Sequence, residues 1–168
     1  IGSIPFAGFH MQTFLPYASF EASVKSLDWR RLGKQRVEAY QILKTIYGGS
    51  KGWVNHPACL MWQGYEEALA DYMNCCILEW LRRGYKNNML FCYVGKNYRL
   101  PPWFGHEKFH ASHRSNLLRK DEVFYREKGW KEDSSDPYLW PLVMESSIQF
   151  RIIHKKKPPV VSYSICVA

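Results

Sequence analysis

The spacing of apolar side chains along the chain predicts three main helices. The first follows Asp28, a suitable N-cap, and its apolar residues recur on one stripe at a period of 3.6: Leu32, Ala39, Ile42, Leu43 and Ile46. The second is predicted over residues 58–83, where Arg82 and Arg83 precede a closing Gly84. The third is predicted over residues 106–120.

The remaining segments predict shorter or irregular structure. Residues 13–17 read as extended, residues 19–26 as one or two helical turns, and residues 146–153 alternate like a strand. Lys155–Lys157 with Pro158 and Pro159 reads as a linker. We therefore predict an all-α fold: a compact single domain of three main helices with irregular loops and a C-terminal tail.

The domain boundaries follow from changes in this pattern. Residues 1–10 mix Gly, Pro and Phe without periodicity, and Met11 looks like a natural start. We expect residues 1–10 to be an N-terminal extension or a remnant of cloning, and residues 11–141 to form the helical domain. Residues 142–168 form a tail to which the pattern assigns no role.

The first helix carries the most suggestive polar residues. At about 100° per residue, Lys34 lies on the polar side, and Glu38 and Arg36 lie at the two edges of the apolar stripe. A carboxylate at such an edge is partly removed from water, which tends to raise its pKa. Arg30 and Arg31 also crowd the start of the helix, where the macrodipole disfavours cations. This arrangement indicates an anionic partner, and the alternative is a surface helix with a Lys34–Glu38 pair.

The composition supports an anionic partner. The net charge is +8, and aromatic residues make up 16% of the chain. Basic residues interleaved with aromatics suit nucleic acid. Five cysteines without a C-x-x-C spacing indicate a reducing interior, and no apolar run reaches the roughly 18 residues of a membrane span. We expect an intracellular protein, cytoplasmic or nucleoid-bound, or nuclear in a eukaryote or its virus.

Three histidines share one face of the third helix: His106, His110 and His113. Histidines at i and i+4 can bind zinc, and residues 106–110 have the H-E-x-x-H spacing, but the cysteines are scattered along the chain. The alternatives are histidines packed against aromatic side chains, or histidines that line a phosphate or base site with Arg114. We expect no metal and no cofactor.

Taken in order, the motifs resemble the pyrimidine-dimer DNA glycosylase family, known from a phage endonuclease, and more closely a bacterial and viral branch of it. The motifs are L-G-K-Q-R-V-E on the first helix, G-W-V-N-H-P before the second, E-W-L-R-R-G-Y at its end, H-E-K-F-H-A-S-H-R-S-N-L-L-R-K on the third, and Y-L-W-P behind it. The resemblance covers roughly residues 11–141.

The resemblance implies an all-α DNA-repair enzyme that flips nucleotides out of duplex DNA. Its N-terminal amine attacks the sugar C1′ and forms a Schiff base, a glutamate assists, and β-elimination then breaks the strand. The glutamate corresponds to Glu38. The residues expected to contact DNA are Arg30, Arg31, Arg36, His56, His106, His110, His113, Arg114 and Trp140.

The nucleophile departs from the family pattern, because Gln12 follows Met11. We therefore expect the attacking amine to be that of Met11, after initiation there, or the side chain of Lys34. The predicted function is a glycosylase with abasic-site lyase activity on damaged or modified pyrimidines in double-stranded DNA, acting as a monomer. The alternatives are a non-catalytic nucleic-acid-binding module of the same fold, and an enzyme acting on another modified base.

Overall fold

Six helices followed by three strands make up the part of the chain that the structure describes. The structure is a computed structural model and describes residues 11–49, 52–144, 147–154 and 157–166. The elements are α1 (Phe20–Ser26), α2 (Trp29–Ile46), α3 (Pro57–Leu60), α4 (Glu66–Arg82), α5 (Glu107–Lys120), α6 (Glu122–Arg126), β1 (Trp140–Met144), β2 (Ser147–His154) and β3 (Lys157–Cys166). The mainly helical fold class is confirmed. Residues 1–10, taken above for an extension or remnant, lie outside the described residues.

Helix α2 forms where the apolar stripe predicted it. Asp28 caps its N-terminus, because the carboxylate accepts a hydrogen bond from the Arg31 N–H at 3.3 Å. The stripe residues Leu32, Ala39 and Ile42 are fully buried. The stripe packs α2 mainly against α4, and this pair is the centre of the helical fold.

The second predicted helix is wrong as a single element. It is divided into α3 and α4 by a turn in which Gly64 has φ +86°, a left-handed conformation that a continuous right-handed helix cannot contain. The turn buries Trp62, whose indole N–H donates to the Thr13 hydroxyl at 3.2 Å. The predicted end is confirmed, since α4 stops before Gly84, at φ +89°.

Helix α5 forms as predicted but is buried on more than its apolar face. Phe109, Leu117 and Leu118 are buried, and so are several polar side chains between them. No helix among the described residues is long and apolar enough to span a membrane.

The C-terminal segment forms an antiparallel sheet of three strands in the order β1-β2-β3. The predicted strand at residues 146–153 corresponds to β2. The predicted linker is wrong from Lys157 onward, because Lys157 pairs with His154 and begins β3; Lys155 and Lys156 lie outside the described residues. Prolines fit β3 because it is an edge strand within this sheet. Phe150 of β2 is buried 5.8 Å from the Phe109 ring, so part of this segment packs on α5.

Candidate active site on helix α2

The segment that precedes α1 lies in the interior. Met11 and residues 13–16 are buried, with Leu15 fully inaccessible. Two histidines of α5 hold the Leu15 peptide group: His113 Nδ1 accepts from the Leu15 N–H at 2.9 Å, and His110 Nδ1 lies 2.7 Å from the Leu15 carbonyl. His110 Nε2 accepts from the Gly105 N–H at 2.9 Å, so its proton is on Nδ1 and donates to Leu15. The position of residues 11–15 is thereby fixed.

Gln35 of α2 connects this segment to the helix. Its Oε1 accepts from the Phe14 N–H at 2.9 Å, and its amide nitrogen donates to the Gln12 carbonyl at 2.8 Å and to Glu38 Oε2 at 2.9 Å. The Tyr72 hydroxyl lies 2.5 Å from the same Oε1. A fully buried amide with all of its hydrogen-bonding groups paired holds its neighbours in one geometry. Gln35 therefore orients both the N-terminal segment and Glu38.

Glu38 is the half-buried carboxyl of this arrangement. Burial raises its pKa from 4.5 to about 7, although the charges of Lys34 and Lys120 and hydrogen bonds from the Gln12 N–H and the Gln35 amide act in the opposite direction. A carboxyl with a pKa near 7 is present in both protonation states at neutral pH. It can donate or accept a proton there, which an ordinary glutamate does poorly.

Cations of two helices act on Glu38: Lys34 of α2, and Lys120 in the last turn of α5. Arg31 and Arg119 belong to the same two helices and act on Lys120. Burial, then the charges of Arg31, Lys34 and Arg119, lower the pKa of Lys120, while Glu38 raises it. Lys120 was not among the predicted site residues. In the sequence, its one indication is its position four residues after Asn116, on the same helix face. In the structure, the Asn116 side chain donates to Gln12 Oε1 at 3.0 Å.

The two predicted sources of the amine lie in different environments. Met11 is buried, directly before the Gln12 N–H that donates to Glu38. Lys34 is exposed on the polar side of α2, as predicted. The nitrogen of residue 11 is thus attached to the segment that contacts Glu38, whereas the Lys34 amine extends from the helix surface.

Arg36 lies on a different side of α2 from Glu38. Its guanidinium is 4.3 Å from the centroid of the Trp80 ring, and Nη1 donates to Asn87 Oδ1 at 2.6 Å. Trp80 in turn stacks on Tyr85 at 4.2 Å. Gly33 makes room for this packing, because a Cβ there would lie 3.1 Å from the Trp80 ring. Arg36 is therefore part of the α2–α4 contact and does not join the Glu38 cluster.

The other two predicted arginines of α2, Arg30 and Arg31, lie in its first turn. Arg30 is exposed, 5.3 Å from the centroid of the exposed Trp29 ring. Arg31 is half-buried and pairs with Asp28 at 3.3 Å. Together with Lys34 they form a cationic strip along the first two turns of α2.

Most of the residues of α5 and near β1 that were predicted to contact DNA lie inside the protein. The side chain of Arg114 donates to the Pro16 carbonyl at 2.7 Å and pairs with Glu107 and Glu132. His110 and His113 hold Leu15, and their pKa values are lowered mainly by burial. These three side chains support the N-terminal segment and do not form an exposed surface.

His56, His106 and Trp140 cluster with other rings. His56 Nδ1 accepts from the Ala58 N–H at 3.0 Å and so caps α3, and its ring lies 5.9 Å from that of Trp140. Trp140 is buried, and the half-buried His106 lies 5.9 Å from the Phe150 ring. Within the described residues, no three His, Cys, Asp or Glu side chains come close enough to hold a metal ion.

The described residues thus form a mainly helical protein in which a partly buried carboxyl with a raised pKa lies beside basic side chains. A family model described as pyrimidine dimer DNA glycosylase matches residues 11–92, a span that includes the N-terminal segment, Glu38 and α1–α4. Residues 11–92 are thus similar to the pyrimidine dimer DNA glycosylase family, which confirms the resemblance carried by the sequence motifs. None of the curated proteins and none of the solved structures compared matches the chain.

Proposed function

We propose that this protein is a DNA glycosylase with abasic-site lyase activity that acts on damaged or modified pyrimidines in duplex DNA. The observation that carries the proposal is Glu38, a half-buried carboxyl with a pKa of about 7 that contacts the segment beginning at Met11. The family match supports the glycosylase part of the proposal. The lyase part depends on an amine close to this carboxyl.

The proposed reaction begins with attack of a neutral amine on the sugar C1′. A C–N bond forms as the bond from C1′ to the base breaks, and the base leaves. Loss of the amine proton and opening of the sugar ring give an imine; removal of a C2′ proton then expels the 3′ phosphate. Ionised Glu38 accepts the proton from the amine and stabilises the positive charge on the sugar, and neutral Glu38 returns a proton to a departing oxygen.

The α-amine of Met11 is the better of the two predicted nucleophiles. An α-amine with a pKa near 7.7–8.0 is roughly 10–15% neutral at pH 7, against roughly 0.04% for an ordinary lysine. Lys34 is exposed on the polar side of α2, whereas residue 11 belongs to the segment that contacts Glu38. In a chain that carries residues 1–10, however, the nitrogen of Met11 is an amide and cannot attack.

That last point favours a second candidate function, a nucleic-acid-binding module. The strip of Arg30, Arg31 and Lys34 is available for phosphates without any chemistry at Glu38. Such a module would bind duplex DNA, and its affinity would fall with salt, but it would never become covalently attached to the strand.

Borohydride reduction of the imine separates the two functions. A chain that begins at Met11 is incubated with an abasic duplex and sodium borohydride, and covalent protein–DNA adducts are counted. We expect adducts with the unsubstituted protein and with Glu21→Gln, a matched control in an exposed i,i+4 pair with Lys25. Glu38→Gln should form them about 10²–10⁴-fold more slowly. Salt-sensitive binding without any adduct would favour the binding module.

A further inference from the structure

The last turn of α5 brings a second amine to the Glu38 site. Asn116 and Lys120 are one helical turn apart on the same face. Asn116 places that face against the N-terminal segment, since its Nδ2 donates to Gln12 Oε1 at 3.0 Å. Lys120 Nζ lies 5.9 Å from the centroid of the Phe14 ring in the same segment. The Lys120 amine is thus next to the segment whose Gln12 N–H contacts Glu38.

Lys120 is exposed, as Lys34 is, but its amine is partly removed from water beside Phe14 and stands among charged groups of both helices. From α2, the cations Arg31 and Lys34 and the carboxyl of Glu38 act on Lys120, and from α5 itself Arg119 does. Burial is the largest influence, and together with the three cations it lowers the pKa of Lys120 against the opposing effect of Glu38. A larger neutral fraction of the amine at pH 7 follows, which is the condition for nucleophilic attack on a carbonyl carbon.

We infer that the ε-amine of Lys120 is the imine-forming group in any chain whose Met11 nitrogen is part of a peptide bond. The inference rests on the proposed function and names the nucleophile of that same site. Lys34 is also a neighbour of Glu38, but the Lys120 amine in addition lies against the N-terminal segment, 5.9 Å from the centroid of the Phe14 ring.

The step balances without a cofactor. The neutral Lys120 nitrogen attacks C1′ of the open-chain abasic sugar, and a C–N bond forms as the carbonyl becomes a hydroxyl. Glu38 in its neutral form gives a proton to that hydroxyl, and water leaves. The Glu38 carboxylate left by that step takes up a C2′ proton, and the electrons of the C2′–H bond form a C=C bond as the 3′ C–O bond breaks and the phosphate leaves with its electrons. No atom is oxidised or reduced until borohydride delivers hydride to the imine in the assay.

The test uses the full chain, residues 1–168, with an abasic duplex and sodium borohydride, followed by mass mapping of the adduct. We expect covalent adducts attached at Lys120. Lys120→Arg keeps the positive charge but removes the nucleophile, so adduct formation should fall to the level of a reaction without protein. Lys128→Arg is the matched control, because Lys128 also lies over a phenylalanine ring, 4.8 Å from the Phe124 centroid, and should form adducts at the unsubstituted rate.

Several outcomes would overturn the inference. They are an adduct mapped to Lys34 or to the α-amine, equal adduct formation by Lys120→Arg, and no adduct from the full chain. A chain that begins at Met11 separates these from failure of the proposed function. If it forms adducts, with or without Lys120→Arg, while the full chain gives one of the outcomes above, the lyase stands and only the Lys120 assignment fails. If neither chain forms adducts, both fail. Thermal melting and DNA affinity of Lys120→Arg, both expected unchanged, exclude a folding defect.

Discussion

Replacing Glu38 by Gln should make the protein more stable at alkaline pH, by an amount that follows from the pKa of the carboxyl. Folding raises this pKa from 4.5 to about 7, so the folded state binds the proton more tightly than the unfolded chain. The sign follows: stability from this group is fully present below pH 4.5 and is lost as pH rises through 7. Gln cannot ionise and has no such loss.

The size of the effect comes from the shift of about 2.5 units. Each unit corresponds to about 1.36 kcal/mol, so ionising Glu38 lowers the free energy of unfolding by about 3 kcal/mol at pH 8, about 2 kcal/mol at pH 6 and close to zero at pH 4. For a domain of this size, 1 kcal/mol corresponds to roughly 2–4 °C in melting temperature. The melting temperature of Glu38→Gln minus that of the unsubstituted protein should therefore be roughly 6–12 °C larger at pH 8 than at pH 4.

Calorimetry or urea unfolding from pH 4 to 8 measures this difference. Glu21→Gln is the control, because that carboxyl is exposed and its pKa is lowered by Lys25; it should not gain stability with rising pH. The reasoning would be refuted if the stability of Glu38→Gln relative to the unsubstituted protein were constant from pH 4 to 8 or increased toward acid pH. Either result would show that Glu38 ionises normally.

Three further predictions concern the surroundings of Glu38. Lys34→Gln removes a cation that lowers the pKa of Glu38, so the step near pH 7 in single-turnover strand cleavage should move to higher pH. Gln35→Leu leaves buried N–H and C=O groups of the N-terminal segment unpaired, which should lower the free energy of unfolding by about 2–3 kcal/mol in urea titrations. In DNA titrations from 50 to 200 mM salt, Arg30→Gln should reduce the slope of log affinity against log salt by about 1. Arg36→Gln should leave the slope unchanged, because the Arg36 guanidinium stacks on Trp80.

The parts of the fold that a local pattern determines were predictable from the sequence. The stripe on α2 gave its start at Asp28 and the edge position of Glu38, and that position alone predicted the raised pKa. The division between α3 and α4 was not predictable, because an isolated Gly such as Gly64 is tolerated in a helical pattern. In the structure Gly64 has φ +86° in the turn that buries Trp62. Strand β3 was missed because its two prolines resemble a linker when the pairing with β2 is unknown.

The site was only half predictable, because its remaining members meet through tertiary contacts. Gln35 and Lys120 are ordinary polar residues in sequence and become important only because the N-terminal segment runs between their helices. The same segment explains the polar face of α5. His110 and His113 were read as contacts to DNA, yet they hold the Leu15 peptide.

Single-turnover cleavage of a duplex that contains one cyclobutane pyrimidine dimer tests the central claim most directly. A chain that begins at Met11 and its Glu38→Gln variant are each mixed in excess with the labelled duplex, and strand breaks at the dimer are followed over time at pH 7. We expect the first to cut the strand at the dimer and the second to cut it about 10²–10⁴-fold more slowly while binding the duplex at least as tightly. Equal rates for the two proteins would contradict a catalytic Glu38. An intact strand with both would contradict the proposed action on pyrimidine dimers.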